Sequence, residues 1–174
     1  GGADVKTSRL PVVRFPDGSK EFRFPEKMLE EGDVIWHDGE RFRVVSVSAD
    51  DMLEFARRFD PQPIHVDPEF AAGGPYGGLI GSGWHSGALA MRLLADHYLS
   101  RVASLGSPGV DELRWQVPLR AGDTLRLRTT IVEARPSRSK PDRGVLVTDV
   151  ELINQDDGRP ISFRAANFLL RRPT

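Results

Sequence analysis

A chain of 174 residues is long enough to bury a real core and is expected to form one domain. Lysine plus arginine at 24 nearly cancel aspartate plus glutamate at 25, so no global charge draws the chain to nucleic acid or to an anionic membrane. Cysteine is absent, which excludes disulfides, thiolate nucleophiles and Cys-ligated zinc.

With 39% hydrophobic and 28% charged residues the composition is that of an ordinary globular protein. No apolar run reaches the length of a membrane span, and no signal-peptide pattern opens the chain, so a cytoplasmic location is the expectation. The first thirty residues say least. Arg14-Phe15-Pro16-Asp17-Gly18-Ser19 carries a turn signal and Phe22-Arg23-Phe24-Pro25 alternates briefly, which suggests a short hairpin or an arm. From Asp33 the pattern sharpens. Val34-Ile35-Trp36 and Phe42-Arg43-Val44-Val45 read as strands about a turn that holds His37, a solvated residue on this reading.

Ser48 and Asp51 have capping-box spacing and open a helix. Met52, Phe55, Ala56 and Phe59 follow at i, i+3, i+4, i+7 and define its buried stripe, while Arg57 and Arg58 lie off it. The helix must stop at Phe59, because Pro61 and Pro63 push Asp60 and Gln62 towards extended geometry. Asp60 therefore sits at a helix exit, and His65 is expected on a stiffened loop. A carboxylate and an imidazole five positions apart are able to hold one water and move protons near neutrality. Spacing alone favours a helix stop signal followed by a satisfied loop histidine.

Gly73-Gly74-Pro75-Tyr76-Gly77-Gly78 is a loop without the spacing of a phosphate-binding fingerprint. A second helix follows over Gly83–Leu99, capped near Ser82 or Gly83. Trp84, Ala88, Met91, Ala95 and Tyr98 trace the face expected to be buried, and Leu89, Leu93, Leu94 and Leu99 widen it to most of the circumference. His85 reads as a core histidine and His97 as a structural one near the helix end. Asp67 and the histidines match no standard zinc spacing. Four alternating stretches then supply an antiparallel sheet. Their inward residues are Leu113, Trp115 and Val117; Leu125, Leu127, Thr129 and Ile131; Leu146, Thr148, Val150 and Leu152; and Ile161, Phe163, Ala165, Asn167 and Leu169, with a turn at Asp157-Gly158. A central helix cupped by a curved antiparallel sheet is an α+β arrangement, the hotdog architecture.

The run Asp60-Pro61-Gln62-Pro63-Ile64-His65-Val66-Asp67-Pro68-Glu69-Phe70-Ala71 resembles the hydratase motif of the MaoC-like family, the (R)-specific enoyl-CoA hydratases and dehydratases. That motif reads roughly Asp-x-Asn-Pro-x-His before an acidic, Ala-containing stretch. The resemblance extends from about Leu29 to Arg171 and implies the same hotdog fold, with residues 1–28 as an N-terminal extension and 29–174 as the domain. Phe59, Gln62 and Ser82 depart from the usual pattern, standing where a small residue, Asn and His are expected.

What the resemblance implies is a lyase acting on an acyl thioester. Asp60 and His65 fall on the catalytic pair, and Ser82-Gly83 on the position where a backbone N–H holds the thioester oxygen. Such a donor suits the positive end of a helix. Ser82, Trp84 and Gln62 are expected to contact substrate. No cofactor is implied; coenzyme A or a carrier phosphopantetheine would belong to the substrate, and the assembly would be a homodimer or a higher homo-oligomer. The cationic stretch Pro136–Gly144 reads either as a contact for CoA phosphates or as an exposed hairpin loop. Two alternatives remain on the same fold: a thioesterase, against which the absence of Asp and Glu between Trp84 and Ala95 speaks, and a non-catalytic acyl-thioester-binding module.

Overall fold

The helix Gly83–His97, here α4, lies against one face of a five-stranded antiparallel sheet. The computed structural model describes residues 45–97 and 99–171, together with the strands 12–14 and 20–22. Strands β1 (Val12–Arg14) and β2 (Lys20–Phe22) pair antiparallel, with Val12 opposite Phe22; the turn expected between them lies outside the described residues. The expected strands at 34–36 and 42–44, the turn at His37 and the proposed boundary at Leu29 lie outside the described residues.

The sheet runs β3 (Val45–Ser46), β5 (Thr124–Pro136), β6 (Arg143–Ile153), β7 (Ile161–Leu170), β4 (Val110–Arg114). The three long strands keep the expected alternation. Leu125, Leu127, Ile131, Leu146, Val150, Leu152, Ile161 and Leu169 are all buried on the face that meets α4. A register shift between Ile131 and Glu133 inserts one residue into β5, and Ala134 rather than Glu133 then turns inward. Strand β4 is shorter than its sequence suggests. Its register slips between Asp111 and Arg114, Glu112 adopts φ 53°, and Trp115 and Val117 fall beyond its end.

Helix α1 (Ala49–Phe59) begins with the capping box read from sequence: Ser48 Oγ accepts from Asp51 N at 3.0 Å. Met52 and Ala56 are buried, but Phe59 is 62% exposed, because the stripe runs off the core at the last turn. Two short helices follow, α2 (Pro63–Val66) and α3 (Pro68–Ala72), each with proline at its first position, where no N–H is needed.

The largest correction concerns α4. Its buried positions are His85, Ser86, Ala90, Leu93 and Leu94, whereas Trp84 is 61% and Met91 50% exposed, and Ala88 is open as well. The stripe expected to be buried is the outer face of the helix in the single chain. Apolar residues cover so much of this helix that periodicity could not tell which side the sheet would take. Truncating Leu93, buried against the sheet, to alanine would cost about 2–5 kcal/mol. Among the described residues no helix is long and apolar enough to cross a membrane.

Candidate active site

Asp60 is the C-cap of α1, where its backbone N–H still donates to Ala56 O at 2.8 Å. The following prolines turn the chain at once into α2, so His65 stands on a single helical turn rather than on the loop expected from sequence. His65 is buried and its Nδ1 lies 2.9 Å from Ile80 O. A carbonyl only accepts, so Nδ1 carries the proton and a neutral ring presents a bare Nε2. The segment that supplies this carbonyl is itself fixed, since Ile80 N donates to Ile64 O and Gly81 N to Leu119 O.

The bare Nε2 lies 3.4 Å from Asp60 Oδ2. Both carboxylate oxygens are already engaged: Gln62 Nε2 donates to Oδ1 and Ser82 Oγ to Oδ2, each at 2.6 Å. These two hydrogen bonds, that from Ser82 above all, hold the Asp60 carboxyl below the usual carboxylate range against the opposing effect of burial. Two acceptors facing each other at this distance are complementary to a group that donates two hydrogens, as water does.

Ser82, fully buried, caps α4: its Oγ accepts from Trp84 N at 3.2 Å while donating to Asp60. One hydroxyl thereby joins the start of α4 to the end of α1. Gly83 is the first residue of α4, and its N–H has no acceptor among the described residues. A cavity of about 370 Å³ gathers these groups, bordered by Asp60, Gln62, His65, Gly83 and Trp84, with Tyr76 and Trp115 at its rim.

Five of the six residues singled out from sequence thus share one cavity, and the sixth, Ser82, lies behind Asp60. Asp67 is not part of it; its Oδ1 caps α3 by accepting from Glu69 N and Phe70 N. Nor is Pro136–Gly144, which bends between β5 and β6 and is tied through Asp142 O to Arg171 N. Sequence reading missed Trp115, which it assigned to the core, and Tyr76, whose carbonyl accepts from Arg120 Nη2 at 2.6 Å. His85 is a core histidine as expected, stacked on Phe55 with centroids 4.6 Å apart and with its Nδ1 without a partner among the described residues.

Comparison with known proteins gives one answer at three levels. The profile of the MaoC like domain matches residues 38–152. A MaoC-like dehydratase from Rhodospirillum rubrum is 35% identical, with 84% of this chain and 96% of that chain covered at a TM-score of 0.73. The 3-hydroxyacyl-thioester dehydratase Z of Mycobacterium tuberculosis is 32% identical over 94 residues, which are 53% of this chain and 62% of that protein. The unliganded R-hydratase PhaJ1 from Pseudomonas aeruginosa shares the hotdog fold, with 86% of this chain and 88% of that one covered at a TM-score of 0.63 and 21% identity.

Proposed function

The chain belongs to the MaoC-like dehydratase family, and from that premise we propose that it adds water reversibly to an enoyl thioester, giving the (R)-3-hydroxyacyl thioester. The observation that carries this reading is the 3.4 Å approach of His65 Nε2 to Asp60 Oδ2, with every other polar atom of the pair already tied. A binding module would gain little from such a pair. Two acceptors held together in a cavity are what an attacking water requires.

In the proposed reaction the water oxygen forms a bond to Cβ as one member of the pair removes a water proton. The π electrons pass to the thioester as an enolate, and the pair returns that proton to Cα, so that one water is added in all. The negative charge that builds on the thioester oxygen meets the Gly83 N–H at the positive end of α4. Asp60 and His65 act as a coupled pair, and acid and base belong to the pair. The chemistry needs no cofactor; coenzyme A, or a carrier phosphopantetheine, arrives as part of the substrate.

The exposed stripe Trp84, Ala88 and Met91 of α4 and the open edge strand β4 support a homodimer that covers both. Turnover of a panel of trans-2-enoyl-CoA substrates, followed by chiral analysis of the product, tests the proposal. Hydrolysis to free CoA without hydration would replace it with a thioesterase. Binding without turnover of either kind would leave the acyl-binding module.

A further inference from the structure

Trp115 lies just past the end of β4, half exposed, with its indole against the first turn of α4. Its Nε1–H donates to Gly83 O at 2.9 Å. That carbonyl and the Trp84 N–H belong to one peptide unit, and the N–H donates to Ser82 Oγ at 3.2 Å. Ser82 Oγ in turn donates to Asp60 Oδ2 at 2.6 Å. Every donor in this series points the same way, from the indole to the carboxylate.

We propose that Trp115 is a positioning residue, which orients and polarises the first peptide of α4 and, through Ser82, holds the Asp60 carboxylate. This rests on the hydratase reading of the site. A peptide whose carbonyl accepts a hydrogen bond becomes a better N–H donor, and a hydroxyl that accepts becomes a better O–H donor. Each link therefore strengthens the next. The same peptide follows directly on the Gly83 N–H, so fixing its plane also fixes the turn in which that donor sits.

The contact is built to fit. A Cβ on Gly83 would stand 2.6 Å from both Cε2 and Nε1 of Trp115, so the indole occupies the space of the missing side chain. Trp84 meets the same ring edge-on at 81° with centroids 5.4 Å apart, which limits its tilt. Trp115 also borders the cavity, so the competing reading makes it a wall and nothing more.

Trp115→Phe keeps an aromatic ring at this position but removes the N–H together with the pyrrole edge of the indole, so the Asp60 titration, which loss of a mere wall would not move, separates the two readings. Loss of one such hydrogen bond should lower kcat for hydration of crotonyl-CoA by about 3- to 10-fold, with KM changed by less than about 2-fold. In protein labelled with ¹³C-aspartate, the Asp60 carboxyl signal, identified by its absence in Asp60→Asn, should titrate at higher pH in the Phe variant. An unchanged kcat with an unmoved titration would overturn the proposal, as would a rise in KM alone. If Trp115→Phe does not fold, the ¹⁵N-indole signal of Trp115 can be followed in Ser82→Ala instead. The relay predicts that the signal moves, and a signal that stays put refutes it. Should the parent protein hydrate no enoyl thioester, the functional reading fails, while the Asp60 titration still decides the relay.

Discussion

Ser82 Oγ donates to Asp60 Oδ2 across 2.6 Å, so the residue that caps the start of α4 also holds the carboxylate that ends α1. Ser82→Ala removes both interactions at once. Loss of the cap should lower stability by about 1 kcal/mol, read as a lower urea midpoint at unchanged slope. Loss of the second hydrogen bond should raise the Asp60 pKa, read by NMR titration.

Removing either member of the proposed pair should stop turnover without unfolding the chain. Asp60→Asn and His65→Ala should each lower kcat for enoyl-CoA hydration by roughly 10²–10⁴-fold. The double variant should be little worse than the poorer single one, since the two act as a unit. An Asp60→Asn enzyme that hydrates at the parent rate would end the hydratase reading.

Gly83→Ala is expected to harm the protein although alanine favours helices. Helix propensity would gain about 1 kcal/mol, but the new methyl meets the Trp115 ring at 2.6 Å, and either the indole or the helix must move. The Trp84–Trp115 edge contact should break, and loss of the exciton signal of this pair in circular dichroism checks it.

His85 should make stability fall as the medium is acidified. Burial pushes its pKa below the ordinary 6.5, with Asp51 opposing only in part. The unfolded chain therefore binds a proton below about pH 6.5 that the folded chain resists, and stability is lost as pH falls through that range. His85→Phe keeps the stack on Phe55 and removes the titrating group, so its urea midpoint should vary less between pH 7 and pH 5 than that of the parent.

If a second copy covers the outer face of α4, a charge at its centre should split the pair. Met91→Glu places a carboxylate on a side chain that is 50% exposed in the single chain, so the monomer itself should tolerate it. Light scattering at micromolar concentration should give twice the chain mass for the parent and a single chain for the variant. A monomeric parent would refute the homodimer.

Local rules made much of this protein legible. The Ser48–Asp51 box, the proline stops around Asp60 and the period-two alternation of β5, β6 and β7 each depend on residues a few positions apart, and each stands in the structure as read. That Asp60 and His65 act together was implied by the resemblance of their motif and not by their spacing, which by itself favoured a helix stop and a satisfied loop histidine. What the sequence did not settle is which face of α4 meets the sheet. Leu93 and Met91 are both apolar, and only the sheet's position, set by pairings across tens of residues, buries one and leaves the other open. Partners far apart in the chain were equally hidden: Ser82 reaches Asp60 across 22 positions and Trp115 reaches Gly83 across 32. No periodicity encodes such contacts, since they exist only once the sheet has carried β4 back beside the start of α4.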